Sequence, residues 1–412
     1  MKGFNHIFRA FLAVLLINLT TAAPAQEKSE PAWIDSVEIS LLTCGPGQEV
    51  WSYYGHTALR IEDRAHGNDL AVNWGMFSFR QSYFIPRFVL GLTDYQMGIF
   101  SMQQFMEEYR SEGRWVEQQR LRLSRAEKTK ILQAIEENNR PENRTYRYNF
   151  FFDNCTTRAR NVVTGNLESR LACKDTTQLY KEPSSYRSEI HRFNDVHRWA
   201  RFGNDLLLGY GADKPLTQEE WEFLPGNLEK DFGLATRLNG KGEHLVDSTF
   251  YLIAPPHLAA ETAEPVTPMM VMMALGLFIV LLSAWEWVKE KNLWWADATL
   301  MVLTGLPGLV LLAMVFSQHP TVQLNFQMLL LNPLNLVFAW PLARRMKKGK
   351  PYWYFHVWGA LTFMAVIMMF WQEYAEGMPI LALSLLARYI RSWQMACQSE
   401  KKQMACLSEK KL

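Results

Sequence analysis

Surplus charge is missing from this chain. Its 43 lysines and arginines are matched by 41 aspartates and glutamates, a formal net charge of +2. The single-sign field on which nucleic-acid binding relies is therefore absent. Cysteine is sparse: there are five in 412 residues. Cys44, Cys155 and Cys173 precede the apolar last third, and Cys397 and Cys406 follow it. Three thiols in an oxidising compartment leave at least one unpaired. Metal-ligand spacing is lacking too. The six-residue step from His191 to His197 fits neither one helix face nor a common zinc pattern, so neither a metal nor a cofactor is expected. No lipobox cysteine follows the N-terminal apolar stretch.

What is present is unevenly placed. Lys2 and Arg9, the apolar run Phe11–Leu19 and Ala23-Pro24-Ala25 read as a secretory signal over residues 1–25 with an A-x-A cleavage site. The run is too short for a retained anchor. Residues 26–262 then carry a mixed pattern and are expected to form an exported α+β domain. Strands are expected at Val37–Thr43, Tyr54–Ile61, Leu70–Phe77 and Trp115–Leu123. The capping box Ser124-x-x-Glu127 opens a helix running through Asn138, and Thr217-x-x-Glu220 opens another.

Composition changes abruptly at Thr262–Pro268. Five apolar segments follow, at about 269–288, 294–316, 322–342, 354–372 and 378–393, so residues 263–393 are expected to form an all-α membrane domain of five transmembrane helices. Thirteen Lys/Arg lie in 289–293, 344–350 and the stretch after 387, and none in 317–321 or 373–377. With an exported N-terminal domain, every basic connection then falls on the cytoplasmic side. The third segment holds Asn325, Gln327, Asn332, Pro333 and Asn335, with His319-Pro320 just before it. Amides are costly in lipid unless paired. They read either as a polar pocket for a headgroup or substrate, with Asn332, Asn335 and His319 as its candidates, or as hydrogen bonds between helices. The tail, residues 394–412, carries a tandem near-repeat, Gln394–Lys402 and Gln403–Lys411, expected to be disordered and cytoplasmic.

The stretch with the most chemistry is Tyr148-Asn-Phe-Phe-Phe-Asp-Asn-Cys155-Thr-Thr-Arg158. An aromatic strand stops at Asp153-Asn154, both good N-caps, and a helix should run from Cys155 to Val163. A thiol in the first turn of a helix is favoured as thiolate by the unpaired N–H groups there; a buried structural cysteine is the plainer alternative. Upstream, a hairpin folded about Arg64–Ala65 would set His56 directly opposite Asn73 on one face. Together with Cys155 this makes a Cys-His-Asn constellation of nucleophile, base and orienter. Cys44 and Cys173 are then the expected disulfide, with Cys44 as reserve nucleophile.

Gly55-His56-Thr-Ala-Leu-Arg60 and Asp153-Asn154-Cys155-Thr-Thr-Arg158, with Ser317-Gln-His319-Pro320 and Leu331-Asn332-Pro333-Leu334, resemble the Lnb family of bacterial membrane proteins. The order of His and Cys is also similar to lecithin:retinol acyltransferase-like proteins, which implies a permuted papain-like, NlpC-type fold. The Lnb resemblance implies a lipoprotein N-acyltransferase of the bacterial inner membrane with a periplasmic catalytic domain. Its partners would be a phospholipid acyl donor, a diacylglyceryl lipoprotein acceptor and membrane lipid, with no nucleic acid. Carried over, Cys155 is the nucleophile and His56 the base; Asn73 rests on the hairpin alone. A Cys-His hydrolase acting on phospholipid or peptidoglycan, and a non-catalytic membrane scaffold, are the alternatives.

Overall fold

The computed structural model describes residues 32–77, 82–172, 184–238, 242–256, 264–350 and 352–409. The secretory-signal reading and Cys173 lie outside the described residues. The chain divides into two compact units. One comprises Met1–Phe79, Asp94–Leu179 and Gln218–His257; the other comprises Arg80–Thr93, Tyr180–Thr217 and Leu258–Leu412.

The first unit is built on a seven-stranded sheet. Its strands are β1 (Val37–Cys44), β2 (His56–Asp63), β3 (Asn68–Met76), β4 (Asp94–Ser101), β5 (Val116–Leu121), β6 (Thr145–Arg147) and β7 (Val246–Ile253). Their order is β6-β4-β3-β2-β1-β5-β7, and every pairing is antiparallel. Alternate residues of central β1 feed two cores. Leu42 and Cys44 pack with Met102, Phe105 and Met106 of helix α1 (Met102–Ser111). Ile39 and Leu41 pack with Ile131, Ala159 and Phe232 of helices α2 (Arg125–Asn139), α3 (Cys155–Thr164) and α4 (Pro225–Leu234). Each such fully buried aliphatic side chain contributes about 2 kcal/mol. The Ser124–Glu127 capping box is present, whereas β4, β7 and α1 carried no legible pattern.

The second unit gathers the apolar helices α5 (Pro268–Lys289), α6 (Trp294–Val315), α7 (Leu334–Met346), α8 (Trp353–Met368) and α9 (Met378–Glu409). Pro268–Lys289, Trp294–Val315 and Phe326–Met346 are long and apolar enough to cross a membrane, and Trp353–Met368 is apolar but shorter. The third stretch is not one continuous helix. A 3-10 turn, Phe326–Leu329, precedes a break before α7, where Pro333 lacks an N–H and cannot continue a helix. Gly308 of α6 fits this break closely, since a Cβ there would lie 2.5 Å from the Leu331 carbonyl oxygen.

Residues Arg80–Thr93 and Tyr180–Thr217, within the block 26–262 of the sequence reading, fall in the same compact unit as these helices. The reason is polar. Asn325 Nδ2 and Gln327 Nε2 donate to the Leu206 and Asp205 carbonyls, each at 2.8 Å, and Ser317 Oγ donates to Val89 O at 2.9 Å. Arg187, which has no exposed surface, donates to Asp205 at 3.0 Å and Asp213 at 2.7 Å. The tail is also not unstructured: the backbone of α9 stays helical to Glu409.

Candidate active site

Asn154 builds the site by capping α3. Its Oδ1 accepts from the Thr156 and Thr157 N–H groups at 2.8 and 2.9 Å, and Thr157 Oγ1 accepts from the Asn154 N–H. Its Nδ2 donates to the Phe150 and Phe223 carbonyls, at 2.7 and 2.9 Å. Of the two caps the sequence offers, Asp153 does something else: it holds Arg158 through two hydrogen bonds, at 2.6 and 2.8 Å. Arg158 in turn lies 3.5 Å from the centroid of the Tyr146 ring. Cys155 is thereby fixed in the first turn of α3, its Sγ 3.8 Å from Thr156 Oγ1.

His56 opens β2. Gly55 before it has φ +79°, and a Cβ there would lie 2.5 Å from the Cys44 carbonyl oxygen, so glycine is required at the entry to this strand. The hairpin register differs from the sequence reading by two residues: Asn73 pairs with Ala58, because the turn is centred one residue later, over Arg64–Gly67. His56 and Asn73 are therefore diagonal neighbours on the same face, within reach for side chains of this length. The contact survives, with His56 Nε2 3.1 Å from Asn73 Oδ1. Nδ1 is then the ring nitrogen left for the thiol.

Burial alone pushes the Cys155 thiol up. The His56 ring, the Thr57 N–H and the Thr156 hydroxyl outweigh it and bring the thiol down to about 7. Burial likewise disfavours a charged His56, but Cys155 and Asn73 raise its pKa above the ordinary value. Together they favour a thiolate–imidazolium pair. Cys44 is the opposite case. It sits across from His56 in the β1–β2 register but is buried against Tyr109, and burial pushes its thiol up to about 12. Among the described residues Cys44 is a free thiol; Cys173, the other half of the expected disulfide, lies outside them. Iodoacetamide labelling is expected to rise at Cys155 about a midpoint near pH 7 and to stay slow at Cys44. At pH 6 the advantage of Cys155 over an ordinary cysteine should be roughly five- to thirtyfold, the lower figure allowing for the weaker nucleophilicity of a low-pKa thiolate. Mass mapping of the labelled peptides checks this; labelling at Cys44 first would remove Cys155 as nucleophile.

Cys155, His56 and Asn73 line a cavity of about 950 Å³, within the size range of small-molecule sites. Aromatic rings form much of its wall: Phe77 stacks on Tyr95 at 4.9 Å, Tyr95 on Tyr148 at 4.0 Å, and Phe150 meets Phe223 edge-on at 5.9 Å. Thr57, inside the Gly55–Arg60 motif, gains a partner only in the fold, its hydroxyl 3.0 Å from that of Thr156; Arg114, a buried wall residue, carries no motif in the sequence.

The remaining candidates lie in the helical unit. Asn335 is buried, donates to Thr304 Oγ1 at 2.9 Å and accepts from Tyr354 Oη at 2.8 Å. Asn332 Oδ1 accepts from the Leu334 N–H at 2.9 Å, at the break before α7. His319 packs beside Phe88, ring centroids 6.3 Å apart. His191 Nε2 lies 2.7 Å from Asp205 Oδ1.

Residues 28–190 match the family model of the Lnb N-terminal periplasmic domain, and residues 260–400 match that of the Lnb transmembrane domain. No curated protein and no solved structure matches the chain. Two domains of one family, in order along the chain and each falling where the sheet or the apolar helices lie, leave one conclusion: the chain belongs to the Lnb family, as a membrane protein with a periplasmic N-terminal domain.

Proposed function

We propose that this protein is a lipoprotein N-acyltransferase, moving an acyl chain from a phospholipid to the α-amine of a diacylglyceryl-cysteine. The observation that carries this reading is the Cys155–His56–Asn73 set opening on an aromatic-walled cavity, in a chain whose last third is apolar helix. Lnb membership, which points to processing of lipoproteins in a membrane, supports it. The permuted papain-like arrangement and five membrane crossings belong to the same proposal, as does a setting in the bacterial inner membrane. Cys155 on α3 packs against β2 and β3, which carry His56 and Asn73.

The chemistry balances without a cofactor. Cys155 Sγ bonds to the ester carbonyl carbon, the C–O bond breaks, and the proton held on His56 goes to the departing lysophospholipid oxygen. A thioester remains. The lipoprotein amine then bonds to the same carbon, the C–S bond breaks, and His56 carries the amine proton back to Sγ. Phospholipid and amine become lysophospholipid and amide. A thioester favours amine over water where water is kept out. Among the polar candidates of the helical unit, Asn335 is already committed between helices, which leaves His319 and Asn332 as the two for lipid contact.

Intact mass after incubation of the full chain with phospholipid tests the proposal. Wild type should gain one acyl chain, removable by hydroxylamine and discharged by an added amine; Cys155→Ala should gain none. An adduct that water discharges as fast as amine marks a hydrolase instead. No adduct at all on wild type ends the acyl-transfer reading.

A further inference from the structure

The cavity wall holds a cation that the steps above do not use. Arg114 is 7 % exposed. Its Nε donates to the Gly45 carbonyl at 2.8 Å and its Nη1 to Glu112 Oε2 at 2.8 Å, while the guanidinium lies 4.6 Å from the centroid of the Tyr109 ring. Among the described residues Nη2 has no hydrogen-bond acceptor. The one acidic partner, Glu112, has a side chain 45 % exposed, so the charge is only loosely compensated. The loop before β2 is shaped around this side chain: a Cβ on Gly47 would lie 3.1 Å from Arg114 Cδ and 2.5 Å from Ser52 Oγ. The guanidinium is thus held from two sides and lines the same cavity as Cys155. Exposed Glu49 and Glu108 also line it, but among the described residues no side-chain hydrogen bond fixes them, whereas Arg114 is held by two.

His56 and Cys155 share this cavity with both Arg114 and the stacked rings. The charge of Arg114 is felt at His56, and Tyr148, within the stacked rings, is influenced by Cys155. A phospholipid has the same two parts: an apolar acyl chain on one side of the scissile ester and, a glycerol away, an anionic phosphodiester. A planar guanidinium with a free edge suits a phosphate oxygen through charge-assisted hydrogen bonds.

We propose that Arg114 binds the phosphodiester of the donor lipid, making it the specificity residue that selects phospholipids over phosphate-free esters. This rests on the acyl-transfer reading above. The test compares two acyl donors on full-length protein: phosphatidylglycerol vesicles, and p-nitrophenyl butyrate, which has an ester but no phosphate. Acylation of Cys155 is followed by intact mass for wild type, Arg114→Gln and Arg114→Lys. Arg114→Gln should slow acylation by phosphatidylglycerol about 10- to 100-fold and by the nitrophenyl ester at most about threefold, with Arg114→Lys between. Equal slowing with both donors, or none with phosphatidylglycerol, overturns the assignment while leaving acyl transfer intact. A wild type acylated by the nitrophenyl ester but never by phosphatidylglycerol overturns both. Should the buried substitutions prevent folding, wild type alone decides. Glycerol 3-phosphate should slow iodoacetamide labelling of Cys155, less so as salt rises; no slowing refutes the site.

Discussion

Cys155→Ala should abolish N-acylation of lipoproteins in cells that lack their own enzyme, and His56→Ala should reduce it by about 10²- to 10⁴-fold. Mass spectra of lipoprotein N-terminal peptides read both. The thiol is the only group in the cavity wall brought down to about 7 among the described residues. His56 is the principal group that lowers it and, among the described residues, the only imidazole in that wall. Asn73→Ala should cost less, roughly tenfold, since it frees the ring without removing it. The pH dependence follows from the two shifts. The thiolate's share of the ion pair is present above about 7 and lost as pH falls through it. The imidazolium's share is present below the raised pKa of His56 and lost as pH rises through it. Activity should therefore be bell-shaped, with its maximum near neutrality. Residual activity within about tenfold of wild type in Cys155→Ala would show that the thiol is not the nucleophile. Cys44 could not replace it, since its thiol is buried and pushed up to about 12.

The core of this site was legible because it is local. A cap pair before a helix and a turn between two alternating strands are short-range signals, and both bring their residues to one cavity, where the proposed chemistry would use them. The hairpin reading misjudged the turn by one residue, which shifts the register by two and preserves the face. A one-residue slip would have turned His56 away from Asn73 altogether. Arg114 was not legible. Its position is set by α1, by a strand pairing more than sixty residues away from Gly45, and by the packing of Gly47 on its stem, none of which leaves a local pattern. Counting thiols likewise gave no sign that Cys44 faces the α1 core.

In the apolar third, hydropathy located the helices but not the break in the third stretch or the polar contacts around it. Asn325, Gln327 and Gln372 look like isolated polar residues in lipid-facing sequence. In the fold they satisfy irregular backbone: Gln372 Oε1 accepts from the Phe326 N–H at 2.7 Å, and Gln327 Oε1 accepts from the Ala375 N–H at 3.0 Å. Non-helical backbone at such a place must find partners within the protein, and these amides are the partners. Their further bonds to residues 205–208 explain why Tyr180–Thr217 belongs with the helices. A fragment ending near residue 262 would strip those carbonyls of their donors.

Arg388→Leu should be the most destabilising single change in the helical unit, by about 3–5 kcal/mol. Charge counting places Arg388 in a basic tail, yet it has no exposed surface. Its Nε donates to Asp297 of α6 at 2.7 Å and its Nη1 to Glu286 of α5 at 2.8 Å, so one guanidinium ties α9 to two other helices. Asp297 is fully buried and Glu286 nearly so. Removing the cation takes from two buried carboxylates their hydrogen-bonded partner. Among the described residues this leaves Asp297 unpaired and Glu286 with only the Leu293 N–H and the field of Arg391, and that penalty exceeds the value of the bonds themselves. In detergent the unfolding midpoint should fall by about 10 °C or more. Arg344→Leu, an equal charge change on an exposed side chain, should stay within about 0.5 kcal/mol of wild type. The decisive variant is the triple Arg388→Met, Asp297→Leu, Glu286→Gln. If unpaired charge is the cause, neutralising all three should recover at least half of the loss despite imperfect packing. If the triple is no better than Arg388→Leu, the side-chain volume at the junction of the three helices matters and its charges do not.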